Sequence, residues 1–99
     1  MTAQPSIAFD VDDTLIRQTR DGLDVPRYPV IQILLLLKSL GCQIYIWSGG
    51  GVEYAMRWVE KLGLDDVTVV QKGSFKPDIA FDDMAHQWET GLATVNIKV

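Results

Sequence analysis

The feature that most constrains this chain is residues 7–15, Ile-Ala-Phe-Asp-Val-Asp-Asp-Thr-Leu, where a short apolar run delivers three carboxylates and a hydroxyl at its end. Ile7, Ala8 and Phe9 suit a buried central strand, so Asp10, Asp12, Asp13 and Thr14 fall where that strand leaves the sheet. In open α/β sheets, ligands bind just beyond the carboxyl ends of the strands. Crowded carboxylates repel one another unless a cation or a shared proton relieves them. A hard divalent ion such as Mg²⁺ takes oxygen ligands of this kind.

Residues 16–28 are polar, with Asp21-Gly22 at their middle, a hairpin-turn signal. They predict a small two-stranded flap over the carboxylates. Its Arg17, Arg20 and Arg27 either solubilise the loop or bring a guanidinium fork to an anionic substrate, and Arg17 is a substrate-contact candidate. Pro29 then opens a helix that Gly41 ends. Val30, Ile33, Leu34, Leu37 and Leu40 are expected to form its core stripe, which leaves Ile31, Leu35 and Leu36 to another helix or to a second copy of the chain.

Residues 43–48 read as the second strand, with Ile44 and Ile46 facing one way and Tyr45 and Trp47 the other, as in a strand covered on both faces. Ser48 and the glycines 49–51 precede the next helix, so Ser48, Gly49 and Gly50 could cradle a phosphate; the plainer alternative for Ser48 is a helix cap. Ala55, Met56, Val59 and Leu62 are expected to give that helix its buried stripe, with Tyr54 and Trp58 at its edges and Gly63 as its stop. Residues 67–70 form a third strand and residues 78–81 a fourth. The six residues from Lys72 to Pro77 can return down a sheet only if extended, spanning roughly 20 Å, so no helix fits between these strands. That geometry puts Lys72 at the carboxylate end of the sheet and Lys76 near the opposite end. Asp82 and Asp83 return two acids to the first face, either as part of the site or as caps for a short helix over 84–89. His86 is expected to be exposed on that helix, since no other His and no Cys stands at metal-site spacing. The alternating Val95, Ile97 and Val99 make residues 93–99 a fifth strand.

Ninety-nine residues suit one domain spanning 1–99. At 47% hydrophobic and 22% charged the chain is ordinary for a soluble globular protein. A formal net charge of −4 argues against sequence-independent nucleic-acid binding, which needs a basic surface, while leaving a phosphorylated substrate open. The longest apolar run, residues 33–37, is too short to span a bilayer, which predicts no membrane insertion. The lone Cys42 and the lack of a signal-peptide pattern in Met-Thr-Ala-Gln-Pro lead to the expectation of a cytoplasmic protein.

Asp10-Val11-Asp12-Asp13-Thr14 after an apolar strand resembles the first motif of the haloacid dehalogenase superfamily, mostly phosphatases that pass through an aspartyl-phosphate. Ser48 after the second strand, a lysine near the third and Ile79-Ala80-Phe81-Asp82-Asp83 closing the fourth complete the series, covering most of the chain. The resemblance implies a three-layer Rossmann-like α/β fold with a mostly parallel sheet of about five strands. Since only about a dozen residues stand where a cap domain is often inserted, it implies the capless branch. It further implies Asp10 as nucleophile, Asp12 as acid and then base, and Thr14 as the residue that positions Asp12. Ser48 and Lys72, or else Lys76, would hold phosphoryl oxygens. Mg²⁺ would be held by Asp10, the Asp12 carbonyl, and Asp82, Asp83 or both. Two other classes compete: a phosphate-binding or regulatory module without turnover, and a signalling receiver domain. The latter places its acidic pair after strand one and its phosphoacceptor after strand three, unlike this chain.

Overall fold

The structure is a computed structural model that describes residues 4–83 and 95–99. The first strand, β1 (Ser6–Asp10), is followed by the flap strands β2 (Ile16–Gln18) and β3 (Asp24–Pro26), helix α1 (Tyr28–Ser39), β4 (Gln43–Trp47), α2 (Val52–Lys61), β5 (Thr68–Val69), β6 (Ile79–Asp82) and β7 (Val95–Lys98). Five strands form one sheet in the order β5-β4-β1-β6-β7, every neighbouring pair parallel. This is the α/β architecture expected from the sequence, without a cap domain. The expected helix over 84–89, His86 and the start of the last strand lie outside the described residues.

β1 is the central strand because residues 7–9 form a short apolar run that can be buried between β4 and β6. Ile7 and Phe9 join Ile44 and Ile46 on one face, where both described helices pack. Phe9 and Phe81 stack there with ring centroids 4.6 Å apart, as neighbouring in-register residues of parallel strands can. The other face carries Ala8, Ala80 and Trp47. The two alanines leave room for the buried indole, and Phe75, from the connection between β5 and β6, packs on it edge-on. Tyr45 and Trp47 therefore face away from Ile44 and Ile46, as the alternation predicts.

The helices differ from the sequence reading in their phase. In α1 the buried residues are Val30, Ile31 and Leu34, with Leu37 half-buried, whereas Ile33 and Leu40 are exposed. In α2 Trp58 is buried and Met56 exposed, the reverse of the expected assignment, while Ala55, Val59 and Leu62 do pack inward. Both segments offer apolar residues on more than one side, and packing against the sheet selects the buried side. On β7, Val95 and Ile97 are more exposed than a core strand would have them, as befits an edge strand, and Val99, just after it, packs against the core. The β5–β6 connection is helix-free as expected, turning at Gln71–Ser74 with Ser74 N–H donating to the Gln71 carbonyl at 3.0 Å. No described helix is long and apolar enough to cross a membrane.

Candidate functional site

Parallel register builds the site. Asp10 lies opposite Trp47, so Ser48 is one residue beyond the end of β1 on the neighbouring strand. Phe9 lies opposite Phe81, and continuing that register by one residue sets Asp82 beside Asp10. Alternation along the strands keeps Asp10 and Asp82 on the face of Ala8 and Ala80, the face crossed by the β5–β6 connection that carries Lys72. The Lys72 ammonium accordingly stands 3.1 Å from Asp82 Oδ2 and 3.5 Å from Asp10 Oδ1. Lys76 is exposed beside Pro77 and Asp78, and Asp78 bonds Ser6 at the start of β1, at the opposite end of the sheet.

Asp10, Asp82 and Asp83 each offer a carboxylate oxygen, all within 4.8 Å of one another. Burial drives the Asp10 carboxyl up from its ordinary 3.8 to about 7; the charge of Asp82 adds to that rise, and Lys72 and the Val11 N–H oppose it. The Asp83 carboxyl is raised first by the hydrogen bond it shares with Asp82, then by burial and the charges of Asp82 and Asp13. Asp10 and Asp82 thus face Lys72, with the Asp83 carboxylate beside them. The donor set fits a hard divalent cation: it is all oxygen, carries excess negative charge, and is closely enough spaced for one ion to touch all three.

The loop leaving β1 is tightly wound. The Val11 carbonyl accepts from the N–H groups of Thr14, Leu15 and Ile16, at 3.2, 3.0 and 3.2 Å, and the side chains of Val11, Leu15 and Ile16 are buried beneath it. Asp13 takes a left-handed backbone, φ 58°, and its carbonyl accepts from Arg27 Nη1 at 2.6 Å, which ties the flap root to the loop. Asp12 is exposed and accepts a 2.5 Å hydrogen bond on Oδ1 from the Tyr54 hydroxyl. Burial, and then that bond to Asp12, push the Tyr54 phenol up to about 12, so it stays protonated at neutral pH. Thr14 is fully buried and its Oγ1 has no hydrogen-bond partner among the described residues, so it makes no hydrogen bond to the Asp12 carboxylate. Tyr54 was overlooked in the sequence because its aromatic ring read as packing. Its place in the first turn of α2, directly after the glycine loop, was the available signal: that turn is at the carboxylate end of the sheet.

Ser48 is buried, and its Oγ accepts from Gly50 N–H at 3.0 Å, leaving its own proton to donate. Gly49 and Gly50 are exposed beside it. The flap forms as predicted, with Gly22 in a left-handed turn at φ 77°. Its Ile16, Gln18 and Asp24 join Asp12, Asp13 and Tyr54 around a pocket of about 320 Å³. Arg17 alternates to the other side of β2 and lines a separate groove with Val25, Pro26, Arg27, Tyr28 and Pro29. The structure therefore gathers Asp10, Asp82, Asp83 and Lys72, places Ser48 at the neighbouring strand end, and sets Arg17 apart. An apolar groove between α2 and β5 shares no residue with the acidic pocket.

No protein-family model, curated protein or solved structure matches this chain.

Proposed function

We propose that the protein is a Mg²⁺-dependent phosphomonoester hydrolase of the haloacid dehalogenase type that works through an aspartyl-phosphate on Asp10. The observation that carries this reading is the Lys72 ammonium bridging Asp10 and Asp82, 3.5 and 3.1 Å away, in a three-carboxylate cluster at the end of the central strands.

In the first step the ionised Asp10 carboxylate attacks phosphorus. The bond to the leaving oxygen breaks, its electron pair goes to that oxygen, and protonated Asp12 supplies the proton. In the second step Asp12 takes a proton from water, which attacks phosphorus and breaks the acyl-phosphate bond, releasing phosphate and restoring Asp10. Lys72 steadies Asp10 and donates to the phosphoryl oxygens, and the Ser48 hydroxyl with the Gly49 amide meets them from the β4 side, while Gly50 N–H holds the Ser48 oxygen in place. Asp10, Asp82 and Asp83, with the Asp12 carbonyl, would hold the Mg²⁺, which offsets negative charge on the transferring group.

The pocket beside Asp12 is where the leaving group would lie. Its three carboxylates, Asp12, Asp13 and Asp24, support a neutral or cationic leaving group over one bearing a second anion. Arg17, on the other side of the flap, does not enter this assignment. The exposed Ile33, Leu35, Leu36 and Leu40 on α1 support self-association through that helix, and the free Cys42 supports a reducing, cytoplasmic setting.

Phosphate release from a panel of phosphomonoesters, with and without Mg²⁺, tests the reading when the native protein is run beside Asp10→Asn. Metal-dependent release that the variant loses is the expected result. Silence from the native protein across the panel, with phosphate analogues still bound, would replace hydrolysis by a binding-only role.

A further inference from the structure

We infer that Tyr54 is the positioning residue for the Asp12 carboxyl, acting from α2 in the role that the sequence motif assigns to Thr14. The inference rests on the phosphatase reading above, in which Asp12 is the acid and base. A general acid works only within hydrogen-bond reach of the oxygen it protonates, and small misplacements are costly. Asp12 is exposed, on a loop, and a carboxylate in that setting has several rotamers to choose from. Among the described residues one hydrogen bond fixes it, the 2.5 Å contact from the Tyr54 hydroxyl to Oδ1, which leaves Oδ2 for a substrate. Thr14 cannot do this work in the observed arrangement, since it is fully buried with its hydroxyl unpartnered among the described residues.

The ring that carries the hydroxyl is itself fixed. A Cβ built on Gly50 would come within 3.1 and 3.3 Å of Tyr54 Cδ1 and Cγ, so the ring is seated directly against the glycine backbone. Tyr54 and Asp12 then share the wall of the flap pocket with Ile16, Gln18 and Asp24. One residue of α2 thereby links the glycine loop, the acid and the leaving-group pocket.

Tyr54→Phe keeps the ring against Gly50 and deletes only the hydroxyl. The readout is kcat/KM on two substrates: an alkyl phosphate, whose leaving oxygen needs a proton, and 4-nitrophenyl phosphate, whose leaving group departs without one. The expected result is a loss of about tenfold or more on the alkyl phosphate and less than about threefold on the nitrophenyl ester. Equal losses on both substrates, or no loss on either, would overturn the role given to Tyr54 while leaving the phosphatase standing. A native protein that turns over neither substrate overturns the phosphatase reading and the Tyr54 role together.

Discussion

Lys72, in the helix-free connection between β5 and β6, and Asp82, at the end of β6, meet at 3.1 Å, and the same ammonium reaches Asp10 at 3.5 Å. The short return between β5 and β6 brings this about: it crosses the face on which Asp10 and Asp82 lie and leaves its lysine at the carboxyl ends of the strands. Replacing Lys72 with Met keeps the length of the side chain and removes the charge. Phosphatase kcat/KM should fall by about 10² or more, the usual effect of losing one donor to a transition-state oxyanion. Lys76→Met, altered at an exposed position at the far end of the sheet, should change it by less than about threefold. Steady-state kinetics of the two variants side by side would expose a wrong assignment through reversed sensitivities.

The placement of these groups was legible in the sequence because it follows from strand ends and chain reach. Asp10 and Asp82 terminate apolar runs, and the connection between β5 and β6 is too short for a helix, so their end of the sheet was fixed before any side chain was placed. The helix phases were only partly legible. Val30, Leu34 and Leu37 pack inward in α1 as expected, but Ile31 joins them in place of Ile33 and Leu40, because the helix is apolar on several sides and the sheet chooses among them. Tyr54 escaped for a related reason: an aromatic residue in a first helical turn serves packing and hydrogen bonding equally well, and only the tertiary approach of α2 to the β1 loop separates the two.

The raised carboxyl of Asp10 makes a prediction about stability. Its folded pKa, about 7, lies above the ordinary 3.8, so the folded protein holds the extra proton between those values. The sign follows: metal-free protein has its full stability from this group below about pH 4 and loses it as pH rises through 7, by up to about 4 kcal/mol at 1.36 kcal/mol per unit. Thermal unfolding in a chelator should show the loss in native protein but not in Asp10→Asn, and Mg²⁺ should restore stability at pH 8. Parallel pH profiles for the two proteins would contradict the buried-carboxylate account.

The acidic flap pocket predicts a selectivity. Aminoalkyl phosphates should be turned over with higher kcat/KM than alkyl phosphates bearing a carboxylate. Asp24→Asn should narrow that preference by about two- to fivefold, the size expected of one exposed charge. A native protein that favours the carboxylate-bearing ester would point instead to the arginine side of the flap.

The uncovered leucines of α1 predict association. Leu36, 59% exposed, and Leu40, 68% exposed, lie one helical turn apart on a face without acidic residues. Sedimentation of the native protein should show a species larger than the monomer, and Leu36→Glu should return it to the monomer with its circular dichroism unchanged. A native protein that remains monomeric at high micromolar concentration would refute association through this face.

The central claim is a covalent phosphoryl group on Asp10, and trapping it is the most direct measurement. Native protein mixed with a turned-over phosphomonoester and Mg²⁺, quenched in acid within the first turnover, should yield an acyl-phosphate that peptide mass spectrometry maps to Asp10. The adduct should be absent from Asp10→Asn, and its lifetime should lengthen in Asp12→Asn, which lacks the base for the second step. Rapid phosphate release with no protein-bound phosphoryl group, or an adduct on another residue, would contradict the account.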